Sequence, residues 1–299
     1  VSHGTPLPVC PSGTGREAQS SDAGGGGSAA PLLGIRAGPH ENGQMPRTDP
    51  RPRPDLSRRD PDLRELMDDP GCDLAALRRT YARFEAVNSL LAGWSATYRR
   101  RIRPLAVPGR PLTVLDVGSG GGDVARALTR WAHRDGVDLR LTGADPDARA
   151  LEWSVGRTAR WAARRPHLEP PAHRRTTSRE LVAAGETFDV VVSNHLLHHL
   201  DPAQVRELVA DSERLARRLV VHNDLVRSPA AYRLYSVGVL PLAPGSFLRT
   251  DGLRSLRRAY VPDELRALAG PGWEVRPGTF AYQQLVRVRS LPVQPDGPR

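Results

Sequence analysis

A glycine cluster directly after a short apolar run constrains this 299-residue chain more than any other feature. Residues 112–117 read Leu-Thr-Val-Leu-Asp-Val, and residues 118–123 follow as Gly-Ser-Gly-Gly-Gly-Asp. Beyond them, Val124, Leu128 and Trp131 recur at helical spacing. The pattern predicts a buried parallel strand that turns tightly into a helix, because glycine permits positive φ and lets a ligand approach the backbone. Open α/β sheets bind nucleotides at such turns.

The spacing of these glycines argues against a dinucleotide. A Gly-x-Gly-x-x-Gly fingerprint counted from Gly118 would need a glycine at the position that Asp123 occupies. Asp116 and Asp123 also flank the turn. Phosphate groups bind at helix N-termini that have no acidic residues nearby, because the helix dipole attracts anions. Two carboxylates suit a ligand that carries an ammonium and a sulfonium group.

The next predicted strand also ends in an acid. Residues 139–145 read Leu-Arg-Leu-Thr-Gly-Ala-Asp, and Asp145 lies 23 positions beyond Gly122. Rossmann-like folds place an acid about 20 residues beyond their glycines, where it accepts hydrogen bonds from ribose hydroxyls. Asp145 and Pro146 would also serve as the N-cap and first residue of a helix through Trp153. The two roles are compatible, and we favour the ribose role.

A third segment combines a buried strand with polar residues at its end. Residues 188–192 form an apolar strand pattern, and Asn194 and His195 follow it. Asp201 and Gln204 then predict a capping box at the start of the next helix.

These three segments resemble the motifs of class I S-adenosylmethionine-dependent methyltransferases, in particular the small-molecule enzymes of ubiquinone and menaquinone biosynthesis. The resemblance covers residues 112–225 well and extends more loosely to about residue 289. It implies S-adenosylmethionine as the cofactor. The residues that it implies for cofactor binding are Asp116, Gly118, Ser119, Gly120, Gly122, Asp145, Pro146, Ser178, Asn194 and His195.

One region departs from the family pattern. After the third strand the family usually has an acid that contacts the adenine amine, but residues 172–180 are rich in arginine and form a poor strand pattern. Ser178 is the best match for that contact, with Thr177 and Glu180 as rivals.

A base that deprotonates the acceptor would come from the predicted pocket. His195 is the preferred catalytic residue because it directly follows a strand, and Asp224 is the second. The further candidates are His198, His199, His222 and Tyr232.

Three histidines within residues 195–199 raise the question of a metal. They would share one helical face, but a zinc site would still need another ligand, such as an acid or a thiolate. We therefore predict no metal.

The order of the segments predicts an α/β fold. We expect a Rossmann-like, doubly wound, mostly parallel seven-stranded sheet with helices on both faces and an antiparallel last strand. One long helix from Leu77 to Tyr98 is expected within an N-terminal helical cap. The expected divisions are a disordered extension rich in proline and glycine (1–54), the cap (55–106), the methyltransferase domain (107–290) with an acceptor-pocket insertion (225–260), and a flexible tail (291–299). The insertion is expected to have its own helical stretch around Ala230 to Leu240. Residues 1–54 are alternatively an over-extended translation start.

Composition excludes several classes of protein. Cys10 and Cys72 cannot form a disulfide framework, and neither a membrane-spanning run nor a secretory signal is apparent, so we expect a cytoplasmic protein. The net charge is +10, but all 43 basic residues are arginines and they are scattered, which fits a GC-rich genome better than nucleic-acid binding. The Asn/Asp-Pro-Pro-aromatic motif of enzymes that methylate nucleobase amines is missing as well.

The sequence therefore predicts a methyltransferase that acts on oxygen or carbon of a small acceptor, aromatic or polyketide-like. We expect no nucleic-acid partner and no membrane span, and a homodimer stays open. Two alternatives remain: an NAD(P)-dependent oxidoreductase, and a catalytically inactive methyltransferase fold that serves as a binding protein.

Overall fold

The structure is a computed structural model that describes residues 54–279 and 281–289. These residues belong to one compact unit, Pro52–Arg299. The predicted disordered extension and the predicted tail lie outside the described residues, apart from Pro54.

A seven-stranded sheet organises the chain, with the strand order β3-β2-β1-β4-β5-β7-β6. Strands β1 to β5 pair in parallel, and β7 runs antiparallel to both of its neighbours, β5 and β6. The predicted fold class is thereby confirmed. The strands are β1 (Leu112–Val117), β2 (Leu139–Ala144), β3 (Ala172–Arg174), β4 (Phe188–Asn194), β5 (Ala216–Leu225), β6 (Glu274–Pro277) and β7 (Tyr282–Val288).

Helices alternate with the strands and cover both faces of the sheet. Neighbouring residues of β1 point to opposite faces, so that Val114 belongs to one hydrophobic cluster and Leu115 to another. The helices are α1 (Leu74–Leu91), α2 (Trp94–Thr97), α3 (Asp123–Arg134), α4 (Ala148–Ala163), α5 (Ser178–Ala183), α6 (Pro202–Leu215), α7 (Pro229–Gly238), α8 (Leu248–Arg258) and α9 (Pro262–Ala269).

The predicted long helix from Leu77 to Tyr98 is interrupted. Helix α1 ends at Leu91, and Gly93 has a φ of 70°, which an α-helix does not accommodate. The apolar periodicity nevertheless continues past the break, because Trp94 and Tyr98 are buried in the cluster that also contains Leu128 of α3. The periodicity therefore marks a buried face shared by α1 and the segment after Gly93, not one continuous helix.

One further local expectation differs from the structure. Helix α4 begins at Ala148 and is capped by the Asp147 side chain, so Asp145 is not its N-cap. The helical stretch expected around Ala230 to Leu240 is α7, and α8 is a second helix within residues 225–260. The capping box of Asp201 and Gln204 is present as predicted. Among the described residues, no helix is long and apolar enough to span a bilayer.

Candidate active site

A cavity of about 380 Å³ lies at the carboxyl ends of β1, β2 and β4. Side chains of α1 and α8 also line it, since Tyr81, Phe84 and Arg258 contribute to its wall. The structure brings most of the predicted site residues to this cavity, namely Asp116, Gly118, Ser119, Gly120, Asp145, Asn194 and His195.

The glycine turn has the backbone geometry that its sequence requires. Gly118, Gly120 and Gly122 have φ values of 66°, 49° and 69°, in the left-handed region that disfavours other residues. A Cβ at Gly118 would lie 2.9 Å from a methyl carbon of Leu196, whereas a Cβ at Gly120 would meet no atom within 4 Å. The turn is therefore packed on one side and open to the cavity at Gly120.

Asp116 is a buried carboxylate with no partner. It is 1% exposed, and neither of its side-chain oxygens accepts a hydrogen bond. Burial, together with the nearby carboxylates of Asp123 and Asp145, raises its pKa well above the usual value. A buried, unpaired carboxyl group costs free energy unless a ligand supplies a donor or a positive charge.

Asp145 supports the glycine turn. Its Oδ2 accepts a hydrogen bond from the Gly120 amide at 2.8 Å, and its Oδ1 accepts one from the Asp147 amide at 2.9 Å. Each carboxylate oxygen can accept a further bond, so Asp145 can still receive hydroxyl groups from the cavity. Its predicted role toward ribose stays a prediction.

Asn194 ties the end of β4 to two other elements. Its Oδ1 accepts hydrogen bonds from Trp94 Nε1 at 3.0 Å and from Asn223 Nδ2 at 2.9 Å. These bonds fix the orientation of the side chain, and the rest of the residue lines the cavity.

His195 has an unusual backbone and an enclosed ring. Its φ of 58° is the single positive value for a non-glycine residue in the described part of the chain. Nε2 lies 2.8 Å from the Tyr282 hydroxyl, and the ring meets Phe84 edge-on. Burial lowers the pKa of His195 to about 4, so the imidazole is neutral at pH 7. Strained backbone of this kind persists where the surrounding structure enforces it, often at functional sites.

Asp224, the second predicted catalytic residue, lies behind the cavity wall. It is 2% exposed, and its Oδ1 is 2.6 Å from His198 Nδ1 while its Oδ2 accepts from the His198 amide at 2.8 Å. Burial opposes ionisation, but His198 holds the pKa of Asp224 below its usual value. The carboxylate does not itself line the cavity, but it fixes His198, which does.

Three other predicted cofactor residues do not line the cavity. Gly122 faces His173, since a Cβ there would lie 2.6 Å from the ring. The Pro146 carbonyl accepts a hydrogen bond from Arg175, and the Ser178 hydroxyl donates to Asp211. The rivals of Ser178 lie elsewhere too, because Thr177 and Glu180 form the capping box of α5. Of the other candidate bases, His198 and His199 line the cavity. His222 is hydrogen-bonded to Ser193 within the sheet, and Tyr232 packs against the core.

Several cavity residues escaped the sequence analysis. Glu65 is 4% exposed and accepts a hydrogen bond from Ser255 Oγ at 2.8 Å. Asp68 and Arg258 form an ion pair at 3.5 Å beside it. Glu65 and Asp68 precede α1 in an irregular segment, where no periodicity marks a buried side chain.

Comparison with known proteins found a family match in the central region. Residues 114–218 match the family model described as a methyltransferase domain. The matched region contains the glycine turn, Asp145 and His195, and the match favours the methyltransferase interpretation over the oxidoreductase alternative.

Two curated relatives are ubiquinone biosynthesis O-methyltransferases. The chain is 31% identical to the protein of Dinoroseobacter shibae over 165 residues, which is 54% of this chain and 59% of the relative. It is 34% identical to the protein of Cereibacter sphaeroides over 164 residues, which is 53% of this chain and 58% of the relative. The match thus spans less than two thirds of each relative.

Among solved structures, the methyltransferase domain and its surroundings are similar to magnesium protoporphyrin IX methyltransferase from Synechocystis PCC 6803 with bound SAH. The sequence identity is 14% and the TM-score is 0.46. The match covers 75% of this chain and 91% of that structure.

Proposed function

We infer that this protein is a methyltransferase that transfers a methyl group from S-adenosylmethionine to a hydroxyl oxygen of a small aromatic or polyketide-like acceptor. The observation that carries the proposal is the unpartnered Asp116 carboxyl at the floor of the cavity, beside a glycine turn within a methyltransferase domain. Methylation of a carbon atom of the same kind of acceptor is the alternative.

The residues present fit the methyl donor. Asp116 offers two buried acceptor atoms without partners, which suits an ammonium group. Gly120 offers a stretch of backbone that no side chain covers, and Asp145 offers further acceptor capacity beside it. Asp116, Gly118, Gly120 and Asp145 would hold the donor.

Bound S-adenosylmethionine supplies a methyl group on a positively charged sulfur, which leaves as a neutral thioether and needs no acid. The residues of the chain must therefore orient the acceptor and exclude water. Such orientation contributes on the order of 7–11 kcal/mol to lowering a barrier. The carboxyl ends of the strands are rigid elements suited to this task.

The acceptor side of the cavity contains aromatic residues. Phe84 lies against His195, and both line the cavity. An apolar pocket of about 30 Å³ continues past Phe84 toward Tyr235 and Tyr282. This pocket is too small for an aromatic ring, so the acceptor would enter the main cavity and direct its apolar edge toward the pocket.

His195 is the residue proposed to receive the acceptor's proton. In the tautomer whose Nε2–H donates to the Tyr282 hydroxyl oxygen, Nδ1 has the lone pair that would take up that proton. A positioned base contributes roughly 10²–10⁴-fold to the rate. Asp224 would support the site indirectly, by fixing His198 beside the cavity.

The proposal is tested by calorimetry with the full-length chain. S-adenosylmethionine is expected to bind with one site per chain, and NADH is expected not to bind. Binding of NADH without binding of S-adenosylmethionine would refute the proposal and restore the oxidoreductase alternative.

A second experiment addresses the acceptor. The protein is incubated with labelled S-adenosylmethionine and a panel of phenols, enols and polyketide-like compounds, with amines as a comparison. Transfer to hydroxyl oxygens supports the proposal, and transfer to amines alone contradicts it. Binding of the donor with no transfer to any acceptor in the panel would favour the inactive binding protein.

A further inference from the structure

Glu65, His198 and His199 converge in one wall of the cavity. One ligand-type atom from each of the three lies within 4.8 Å of the others. His198 Nε2 is 3.4 Å from Glu65 Oε1, and His199 Nε2 is 3.8 Å from Glu65 Oε2. Two imidazole nitrogens and a carboxylate thus surround a common point, and all three residues line the cavity.

Each histidine is oriented by a carboxylate on its other nitrogen. His198 Nδ1 lies 2.6 Å from Asp224 Oδ1, and His199 Nδ1 lies 3.3 Å from Asp68 Oδ2. Histidines that bind metals almost always donate the second ring N–H to such a partner, which fixes the tautomer and directs the free nitrogen toward the metal. Both Nε2 atoms point to the same partner, the Glu65 carboxylate, which is the third ligand of the proposed set.

The charges around the cluster favour a cation. Glu65, Asp68 and Asp224 bring three carboxylates together, while Arg258 is the cation that contacts them, at 3.9 Å from Glu65 and 3.5 Å from Asp68. A divalent ion at the common point would balance the carboxylate charge that Arg258 leaves.

We propose that Glu65, His198 and His199 form a binding site for a divalent transition-metal ion such as Zn²⁺. Two imidazoles and one carboxylate are a ligand set that such ions prefer, and Mg²⁺ does not. The sequence alone did not reveal the third ligand, because Glu65 lies 133 positions before His198 in an irregular segment. Three protein ligands leave a position that faces the cavity.

The open position assigns the ion a role at the acceptor. The ring centres of His198 and His195 are 6.0 Å apart, so the site adjoins the proposed base. The ion would accept the acceptor's hydroxyl oxygen as its next ligand and hold it beside His195. This role rests on the proposed function, whereas the binding of the ion does not.

Cobalt serves as the probe, because bound Co²⁺ is coloured and reports its ligand geometry. The full-length protein is stripped with a chelator, titrated with Co²⁺ under visible absorption, and then competed with Zn²⁺ and with Mg²⁺. We expect one saturating equivalent of Co²⁺, which Zn²⁺ displaces and Mg²⁺ does not.

Variants separate this site from surface binding. His199→Gln is expected to weaken Co²⁺ binding by roughly 100-fold or more, and Asp68→Asn by roughly tenfold. His133→Gln is the matched control, because His133 and His167 form a separate pair with ring centres 5.0 Å apart. That control is expected to bind Co²⁺ like the wild type.

Equal Co²⁺ affinity in the wild type and His199→Gln would overturn the proposal. The proposal would also fail if the wild type bound no Co²⁺, or if His133→Gln were the variant that lost Co²⁺ binding. Circular dichroism confirms that each variant is folded; His199 is partly exposed, so its replacement is compatible with folding. Calorimetry with S-adenosylmethionine in the presence of chelator is run in parallel. Donor binding without Co²⁺ binding would refute the metal site and leave the proposed function standing. Co²⁺ binding without donor binding would refute the proposed function and leave the metal site standing.

Discussion

The imidazole of His195 is hydrogen-bonded to the Tyr282 hydroxyl, with 2.8 Å between Nε2 and Oη. The bond links the residue after β4 to the first residue of β7. A ring held at one nitrogen presents the other in a fixed direction, which is what a base needs for proton transfer.

Replacing His195 tests its catalytic role. His195→Asn is the suitable variant, because asparagine tolerates the left-handed backbone at φ 58° but has no imidazole. We expect turnover to fall by roughly 10²–10⁴-fold, far more than the affinity for S-adenosylmethionine. Kinetics and calorimetry on one preparation measure both quantities. Unchanged turnover would assign the base elsewhere.

Replacing Asp116 should affect stability and binding in opposite directions. Asp116→Asn keeps the side-chain size but removes the cost of ionising a buried carboxyl near two other acids, so the ligand-free protein should melt at a higher temperature. Loss of a charge-assisted bond should weaken S-adenosylmethionine binding by about 1.5–3 kcal/mol.

Asp189→Asn is the matched control for that experiment. Asp189 is equally buried, but it accepts hydrogen bonds from the Thr113 amide and hydroxyl and pairs with Arg217. Its replacement should lower the melting temperature and leave donor affinity unaltered. A lower melting temperature for both variants would contradict the assignment of Asp116 to a ligand.

Donor binding should depend on pH through Asp116. Burial, Asp123 and Asp145 raise the pKa of this group above 3.8, so the ligand-free fold favours the protonated form. Its contribution to folding stability is therefore complete below pH 3.8 and is lost as the pH rises through the raised pKa. An ammonium group favours the ionised form, so affinity should increase as the pH rises through the raised pKa of Asp116. Calorimetry at several pH values measures this, and a flat wild-type profile would argue against the contact.

The open face of Gly120 can be tested with alanine. Gly120→Ala and Gly136→Ala place a Cβ at similar positive φ values, 49° and 69°, where neither meets an atom within 4 Å. Both should lose about 1–2 kcal/mol of folding free energy from backbone strain. Only Gly120→Ala should weaken donor binding, because Gly136 lies outside the cavity. Equal donor affinity in both variants would show that the ligand does not approach Gly120.

A double-mutant cycle examines the role of Asp145. Asp145→Asn is compared with the wild type for binding of S-adenosylhomocysteine and of its 2′-deoxy analogue. If the carboxylate accepts a ribose hydroxyl, the variant should lose roughly 1–3 kcal/mol toward the full ligand and much less toward the analogue. Equal losses would instead reflect the bond from Asp145 to the Gly120 amide.

The sequence predicted the sheet and the glycine turn because both depend on neighbouring residues. The run that ends at Asp116 and the glycines after it specify a strand and a turn locally. Asp147 replaced Asp145 as the cap of α4, a shift of two residues that propensity cannot resolve.

The cavity wall made by Glu65 was not predictable from local patterns. The Leu66 and Met67 amides donate to the Asp251 carboxylate at 2.8 and 2.9 Å, which fixes the segment against α8. These partners are about 185 residues apart in the chain, and no periodicity connects them. Only the tertiary structure shows that Glu65 reaches His198.

The hydrogen bond from Trp94 to Asn194 has a consequence for designing shorter versions of this protein. Trp94 is 2% exposed, and its indole reaches the end of β4 from a position before the first strand. A fragment that starts at Leu112 would keep every strand of the sheet, but it would expose Leu128 and leave Asn194 without that donor. Truncation for crystallography or engineering should therefore start ahead of α1.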